Sequence, residues 1–249
     1  MGYATENRRL LLTHPIALPA WRQAKHEVYH YLHLVGELER ALTGGEQVSD
    51  HQPSDVIRVS TARRAAARHF LIAHGARLER PLVLLCPGST NSRAKRWPTC
   101  GFAALADQLI AEMGAEVILI GSGEEKESGR GERADESSAA HLDRGTDLSL
   151  TIAILSLADL LVSNDTGPAH IAAALGRPTL VIFGPTNPVR TRPFSAAAEI
   201  IREPPACAPC MLRDCPIDHR CMTAITPAHV FSRSAAILKA RLGAEEVHT

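Results

Sequence analysis

From about Val83 onward, short apolar runs alternate with longer amphipathic ones. The runs at 82–86, 116–120, 160–163, 179–183 and 199–202 have the length and composition of buried strands. Between them, 99–113, 150–158 and 167–175 read as helices. Short apolar strands with crossover helices predict a parallel sheet covered on both faces. The pattern therefore predicts a doubly wound α/β domain from about residue 55 to 249. The first fifty residues differ. Over 21–42, Tyr31, Leu34, Val35, Leu38 and Leu42 recur at helical spacing with no strands beside them, and Gly44-Gly45 would end that helix. The polar stretch 44–54, with Pro53, reads as a linker. The chain thus divides into 1–50, the last elements of another domain plus a linker helix, and 51–249, the α/β domain. Residues 121–145 are dense in charge, serine and glycine and predict a solvated helix.

Composition narrows the function classes. A length of 249 residues is ample for a real core, and 45% hydrophobic with 22% charged residues is ordinary for a globular protein. Lys plus Arg equals Asp plus Glu at 27 each, so no net positive field points to nucleic acid. The local basic cluster Arg93, Lys95 and Arg96 suits a small anionic ligand better than a polymer. No apolar run approaches the roughly 18 residues of a membrane span, and the first residues lack a secretory pattern. In the cytosol so implied, six cysteines point to thiols or a metal site rather than disulfides.

Two segments have the chemistry of a phosphate site. Asn164-Asp165-Thr166-Gly167-Pro168-Ala169-His170 joins a strand end to a helix start closed by Gly176 and Pro178. The free N–H groups of such a first turn and the positive end of the helix dipole favour an anion. The N–H groups of Thr166 and Gly167 could hold a phosphate. Asp165 could accept from ribose hydroxyls, and His170 leans back toward the helix start. Alone, Asp165 also reads as an N-cap and His170 as a satisfied core histidine. The second segment, Pro87 to Pro98, likewise lies between a strand and a helix. Ser89 and Thr90 could hydrogen-bond phosphate oxygens there, and Lys95 could add a charge-assisted contact of roughly 1.5–3 kcal/mol. A polar surface loop with a solvated lysine would have the same composition. Commoner nucleotide signatures are absent: Gly121-Ser122-Gly123 meets Lys126 where the dinucleotide fingerprint needs glycine, and there is no Gly-Lys-Ser/Thr P-loop. A third constellation, Cys207, Cys210, Cys215 and Cys221, places four thiols within 15 positions. That proximity suits a structural metal, whereas the proline-rich surroundings also suit an ordered loop of free thiols.

Cys86-Pro-Gly-Ser-Thr90, Ala94-Lys-Arg-Trp-Pro98, Asn164-Asp-Thr-Gly-Pro-Ala-His170 and Phe183-Gly-Pro-Thr186, with the segment ending Cys221-Met222, resemble glycosyltransferase family 9. These are the heptosyltransferases of lipopolysaccharide core synthesis, heptosyltransferase II above all, and the resemblance covers nearly the whole chain. It implies the GT-B architecture of two facing Rossmann-like domains, the C-terminal one holding the nucleotide sugar. It places Ser89, Thr90 and Lys95 on the diphosphate, and Asp165, Thr166, Gly167 and His170 beside the sugar and phosphates. Glu124 or Glu125 would approach the ribose or base. The implied donor is ADP-L-glycero-D-manno-heptose, and the implied acceptor is the inner core on lipid A at the cytoplasmic membrane face. The implied transfer inverts the anomeric centre and requires no metal. A base deprotonates the acceptor hydroxyl while Lys95 and the helix start stabilise the departing diphosphate.

The chain departs from the family pattern at its start. Members open with a strand and glycine turn of the N-terminal domain, which carries the catalytic aspartate. Here Gly2-Tyr3-Ala4-Thr5 and Leu10–His14 resemble segments late in that domain. The catalytic residue is therefore unassigned, and the linker helix is expected to leave part of its apolar face uncovered. Three readings follow: a heptosyltransferase, an ADP-sugar-binding module without its base, and a thiol domain for which the Rossmann fold is scaffold.

Overall fold

The computed structural model describes residues 1–5, 7–45, 53, 56–121, 140–141 and 146–246. Among these residues six parallel strands form the main sheet: β3 (Leu82–Cys86), β4 (Glu116–Leu119), β5 (Ala140–His141), β6 (Leu160–Asn164), β7 (Thr179–Ile182) and β8 (Ala198–Ile201). Their order is β5-β4-β3-β6-β7-β8. The chain builds outward from β3 to one edge, then returns to β6 and builds to the other. The switch point between β3 and β6 leaves a crevice at their carboxyl ends, where ligands of such sheets bind.

Side-chain alternation gives this sheet two cores. Val83, Leu85, Val117, Val162 and Leu180 face α3 (Thr99–Met113) and the last long helix, α8 (Pro227–Glu246). Leu82, Leu84, Ile118 and Leu161 face α2 (Thr61–Ala73), α4 (Leu148–Leu155) and α5 (Gly167–Ala174). Every residue of β3 and β6 is buried, so each large aliphatic there contributes about 1.5–3 kcal/mol. Five of the strands and three helices lie where the apolar pattern puts them. Two long helices were not foreseen, nor were two single turns at Pro188–Thr191 and Arg220–Thr223. α2 is mostly alanine and arginine and buries only Ala67 and Leu71, and α8 mixes apolar and charged residues along its length. The helix expected over 121–145 lies largely outside the described residues, but Ala140–His141 is a strand paired with β4.

The first residues form a two-stranded parallel sheet, β1 (Gly2–Tyr3) and β2 (Pro15–Ile16). Tyr3 stacks on His30 with ring centroids 4.0 Å apart, and its hydroxyl donates to the His30 carbonyl at 2.7 Å. His30 belongs to α1 (Glu27–Thr43), which starts six residues later than the expected helix. A 3-10 turn occupies Ala20–Gln23, and His26 caps α1 by accepting from the Val28 N–H. Gly44, at φ 78°, closes it as foreseen. The expected exposure is also present: Tyr31 is 63% and Leu42 77% exposed. The expected division between residues 50 and 51 lies outside the described residues.

Candidate functional site

Asn164 organises the crevice from below. It is fully buried at the end of β6, and its side chain accepts from the Trp97 N–H at 3.0 Å and donates to the Pro87 carbonyl at 2.7 Å. One side chain thus ties the loop after β3 to the end of β6 at two points. Arg96 closes the same loop by donating from Nε and Nη2 to the Ser89 carbonyl, at 3.1 and 3.0 Å. The short turn Arg93–Lys95 then aims Lys95 back over the sheet.

Lys95 meets Asp165. Its Nζ is 2.9 Å from Asp165 Oδ2 and donates to the Asp165 carbonyl at 3.3 Å. The Thr186 hydroxyl, on the loop after β7, donates to the same Oδ2 at 2.7 Å. Asp165 is buried and gathers groups from the ends of three adjacent strands. It is not an N-cap: Thr166 occupies the cap position of α5, and its hydroxyl lies near Ser163 Oγ and the Asn164 carbonyl instead of bonding the helix N–H groups. The first turn of α5, from Gly167, therefore has no side-chain acceptor. Nor is His170 a core histidine. It is 46% exposed, with Nε2 4.0 Å from Asp165 Oδ1. Desolvation holds its pKa below the ordinary 6.5; the Asp165 carboxylate opposes that shift, and His26 and Lys95 add to it.

These residues line a cavity of about 900 Å³, near the top of the roughly 300–1,000 Å³ typical of small-molecule sites. Ser89, Thr90, Lys95, Asp165, Thr166, Gly167 and His170, the described residues that the sequence assigned to a nucleotide-sugar site, all lie on its wall. Glu124 and Glu125 lie outside the described residues. Three features escaped the sequence reading. Thr186 and Asn164 sit inside recognised motifs, but only the fold shows what they hold. The opposite wall comes from the start of α1 and from α6 (Pro188–Thr191). There Glu27 pairs with Arg190 at 2.7 Å, and His26 Nε2 donates to the Arg192 carbonyl at 2.7 Å and packs on Phe194. No signal in the sequence joins residues 160 positions apart.

None of the six cysteines is in a disulfide. Cys207 and Cys210 are exposed, Cys215 is half-buried and Cys221 is buried. Burial raises the Cys221 thiol pKa, and the nearby Cys215, Cys210 and Cys207 raise it further. The other three thiols thus lie within electrostatic reach of Cys221. Even so, among the described residues no group of three or more His, Cys, Asp or Glu side chains is arranged to hold a metal ion. Also among these residues, no helix is long and apolar enough to cross a membrane.

Comparison with known proteins gives this geometry its context. Residues 1–220 match the model of glycosyltransferase family 9 (heptosyltransferase). Lipopolysaccharide heptosyltransferase 2 of Salmonella typhimurium is 40% identical over 129 residues, half of this chain and 37% of that protein. Its Escherichia coli counterpart is 38% identical over the same shares. The chain thus spans well under half the length of these relatives. Among solved structures, E. coli ADP-heptose lps heptosyltransferase II superposes with a TM-score of 0.62 at 28% identity, covering 78% of this chain and 56% of that one. The glycosyl transferase family 9 structure from Veillonella parvula reaches a TM-score of 0.72 at 21% identity, which shows a shared fold. The match over residues 1–220 spans most of the chain: the chain belongs to glycosyltransferase family 9, the heptosyltransferases.

Proposed function

We propose that the crevice holds ADP-heptose and that this chain is the donor-binding part of a lipopolysaccharide heptosyltransferase. The observation that carries the reading is the Lys95–Asp165–Thr186 cluster beside the uncapped start of α5, at the switch point of the sheet. Helix N–H groups and a lysine meet a diphosphate from two directions. The relatives are named for heptose transfer to lipopolysaccharide or lipooligosaccharide, and one solved neighbour is named for ADP-heptose. The acceptor is then the lipid A core, reached by a cytoplasmic protein peripheral to the inner membrane face. The leaving diphosphate gains its stabilisation where charge develops, at Lys95 and the helix start. That arrangement needs no metal for transfer, and inversion follows from attack opposite the departing diphosphate.

A second reading has its own support. Both described carboxylates on the cavity wall are held in ion pairs, Asp165 by Lys95 and Glu27 by Arg190. Neither is a free general base, so by itself this wall describes an ADP-sugar-binding module. Titration with ADP tests the shared core of the two readings. Wild type is expected to bind with or without EDTA, and Lys95→Ala to weaken binding roughly tenfold or more. Equal affinities for the two proteins would remove Lys95 from the site. A transfer assay with ADP-heptose and lipid A core acceptor then separates enzyme from binder.

A further inference from the structure

Beyond the crevice, residues 211–222 brace the two loops that carry Lys95 and Thr186, through Ser92 and Ala94 on one and Gly184 and Pro185 on the other. Ala94, the residue before Lys95, is held by both of its backbone groups. Its N–H donates to the Arg213 carbonyl at 2.9 Å, and its carbonyl lies 2.6 Å from His219 Nε2. A carbonyl can only accept, so the His219 ring carries its hydrogen on Nε2. The Ser92 hydroxyl also donates to the Arg213 carbonyl, at 3.1 Å. On the Asp165 side, the Met211 N–H donates to the Pro185 carbonyl at 2.9 Å, one residue before Thr186. Cys221 and Met222 fill the space that a Cβ on Gly184 would occupy.

His219 sits at the centre of this brace in a conformation few non-glycine residues adopt, φ 58°. Its carbonyl accepts from the N–H groups of Met222 and Thr223, at 2.9 and 3.1 Å. These bonds tie the backbone of His219 to α7 (Arg220–Thr223), whose Cys221 and Met222 are buried. A buried anchor, a left-handed residue and a bond to the backbone beside Lys95 form one continuous connection.

We propose that His219 is a positioning residue for the diphosphate, acting through Lys95 by fixing the Ala94 carbonyl. This rests on the donor-site reading above. His219→Asn is the informative variant: asparagine tolerates the left-handed backbone, but its short amide does not reach Ala94. By titration calorimetry, ADP is expected to bind His219→Asn about tenfold more weakly than wild type. His219→Gln, whose longer amide can donate to the same carbonyl, is expected to return to within about threefold of wild type. In a Lys95→Ala background, His219→Asn is expected to cost less than about twofold, because its effect runs through the lysine. Adenosine, followed by ligand-observed NMR, is expected to bind wild type and His219→Asn alike. Unchanged ADP affinity in His219→Asn, or an equal loss for adenosine, overturns the proposal, as does full additivity with Lys95→Ala. If wild type does not bind ADP, the donor-site reading falls and takes this inference with it; if wild type binds and the variant matches it, only the inference falls.

Discussion

The His170 ring stands half-exposed in the crevice, 4.0 Å from one oxygen of Asp165, and desolvation holds its pKa below the ordinary 6.5. A folded pKa below the unfolded one means that the unfolded chain binds more protons between the two values. The stability contribution is therefore full above about pH 6.5 and is lost as pH falls through the folded pKa. An anionic ligand in the crevice acts the other way: it favours the imidazolium and raises the folded pKa. ADP binding near pH 6.5 is accordingly expected to take up protons, and His170→Gln is expected to take up fewer. Calorimetry in buffers of different ionisation enthalpy measures the difference, and comparing the two proteins subtracts the titration of ADP itself. Equal uptake by both would place the phosphates away from His170. The sequence could name His170 and Asp165 but could not choose between structural and ligand roles. That choice needed the fold, in which Thr166 and not Asp165 takes the cap position of α5, His170 is half-exposed in the crevice, and Thr186 bonds Asp165 from 21 residues away.

Elements came through the sequence in proportion to how strongly their surroundings constrain them. The central strands are buried on both faces, so they show as continuous apolar runs such as Leu82–Cys86. α2 buries one edge through Ala67 and Leu71, and alanine carries little periodic signal. α3 shows a case where local preference and packing conflict. Gly101 lies in its first turn, and on helix propensity alone Gly101→Ala would stabilise by about 1 kcal/mol. The added Cβ, however, would lie 2.7 Å from the Trp97 ring. That ring is held: its Nε1 donates to the Ile225 carbonyl at 2.8 Å, and it packs edge-on against Phe102 at 4.9 Å. Overpacking a fixed core ring costs about 1–3 kcal/mol, which exceeds the propensity gain. Gly101→Ala is thus expected to lower the melting temperature, by thermal denaturation followed by circular dichroism. A rise would mean that Trp97 can move.

At the scale of the whole molecule, the crevice has two walls with different jobs. One is the α/β body, with Lys95, Asp165 and the start of α5. The other is α1, docked by the Glu27–Arg190 pair and by His26 and Tyr29 against Phe194. The pair is mostly buried, with side-chain exposures of 25% and 16%. Glu27→Gln keeps the shape and one acceptor but removes the charge, so a loss of about 1–2 kcal/mol is expected. That loss belongs to the docking of α1 and not to phosphate binding, since no group holding Lys95 or Asp165 is touched. Glu27→Gln should therefore speed hydrogen exchange in α1 and leave ADP affinity undiminished, whereas Lys95→Ala should weaken ADP and leave α1 protected. A fall in ADP affinity in Glu27→Gln matching that in Lys95→Ala would show that the two walls bind the nucleotide together. In that case the α1 wall is part of the donor site, and the helix that the sequence presents as a linker has a binding role.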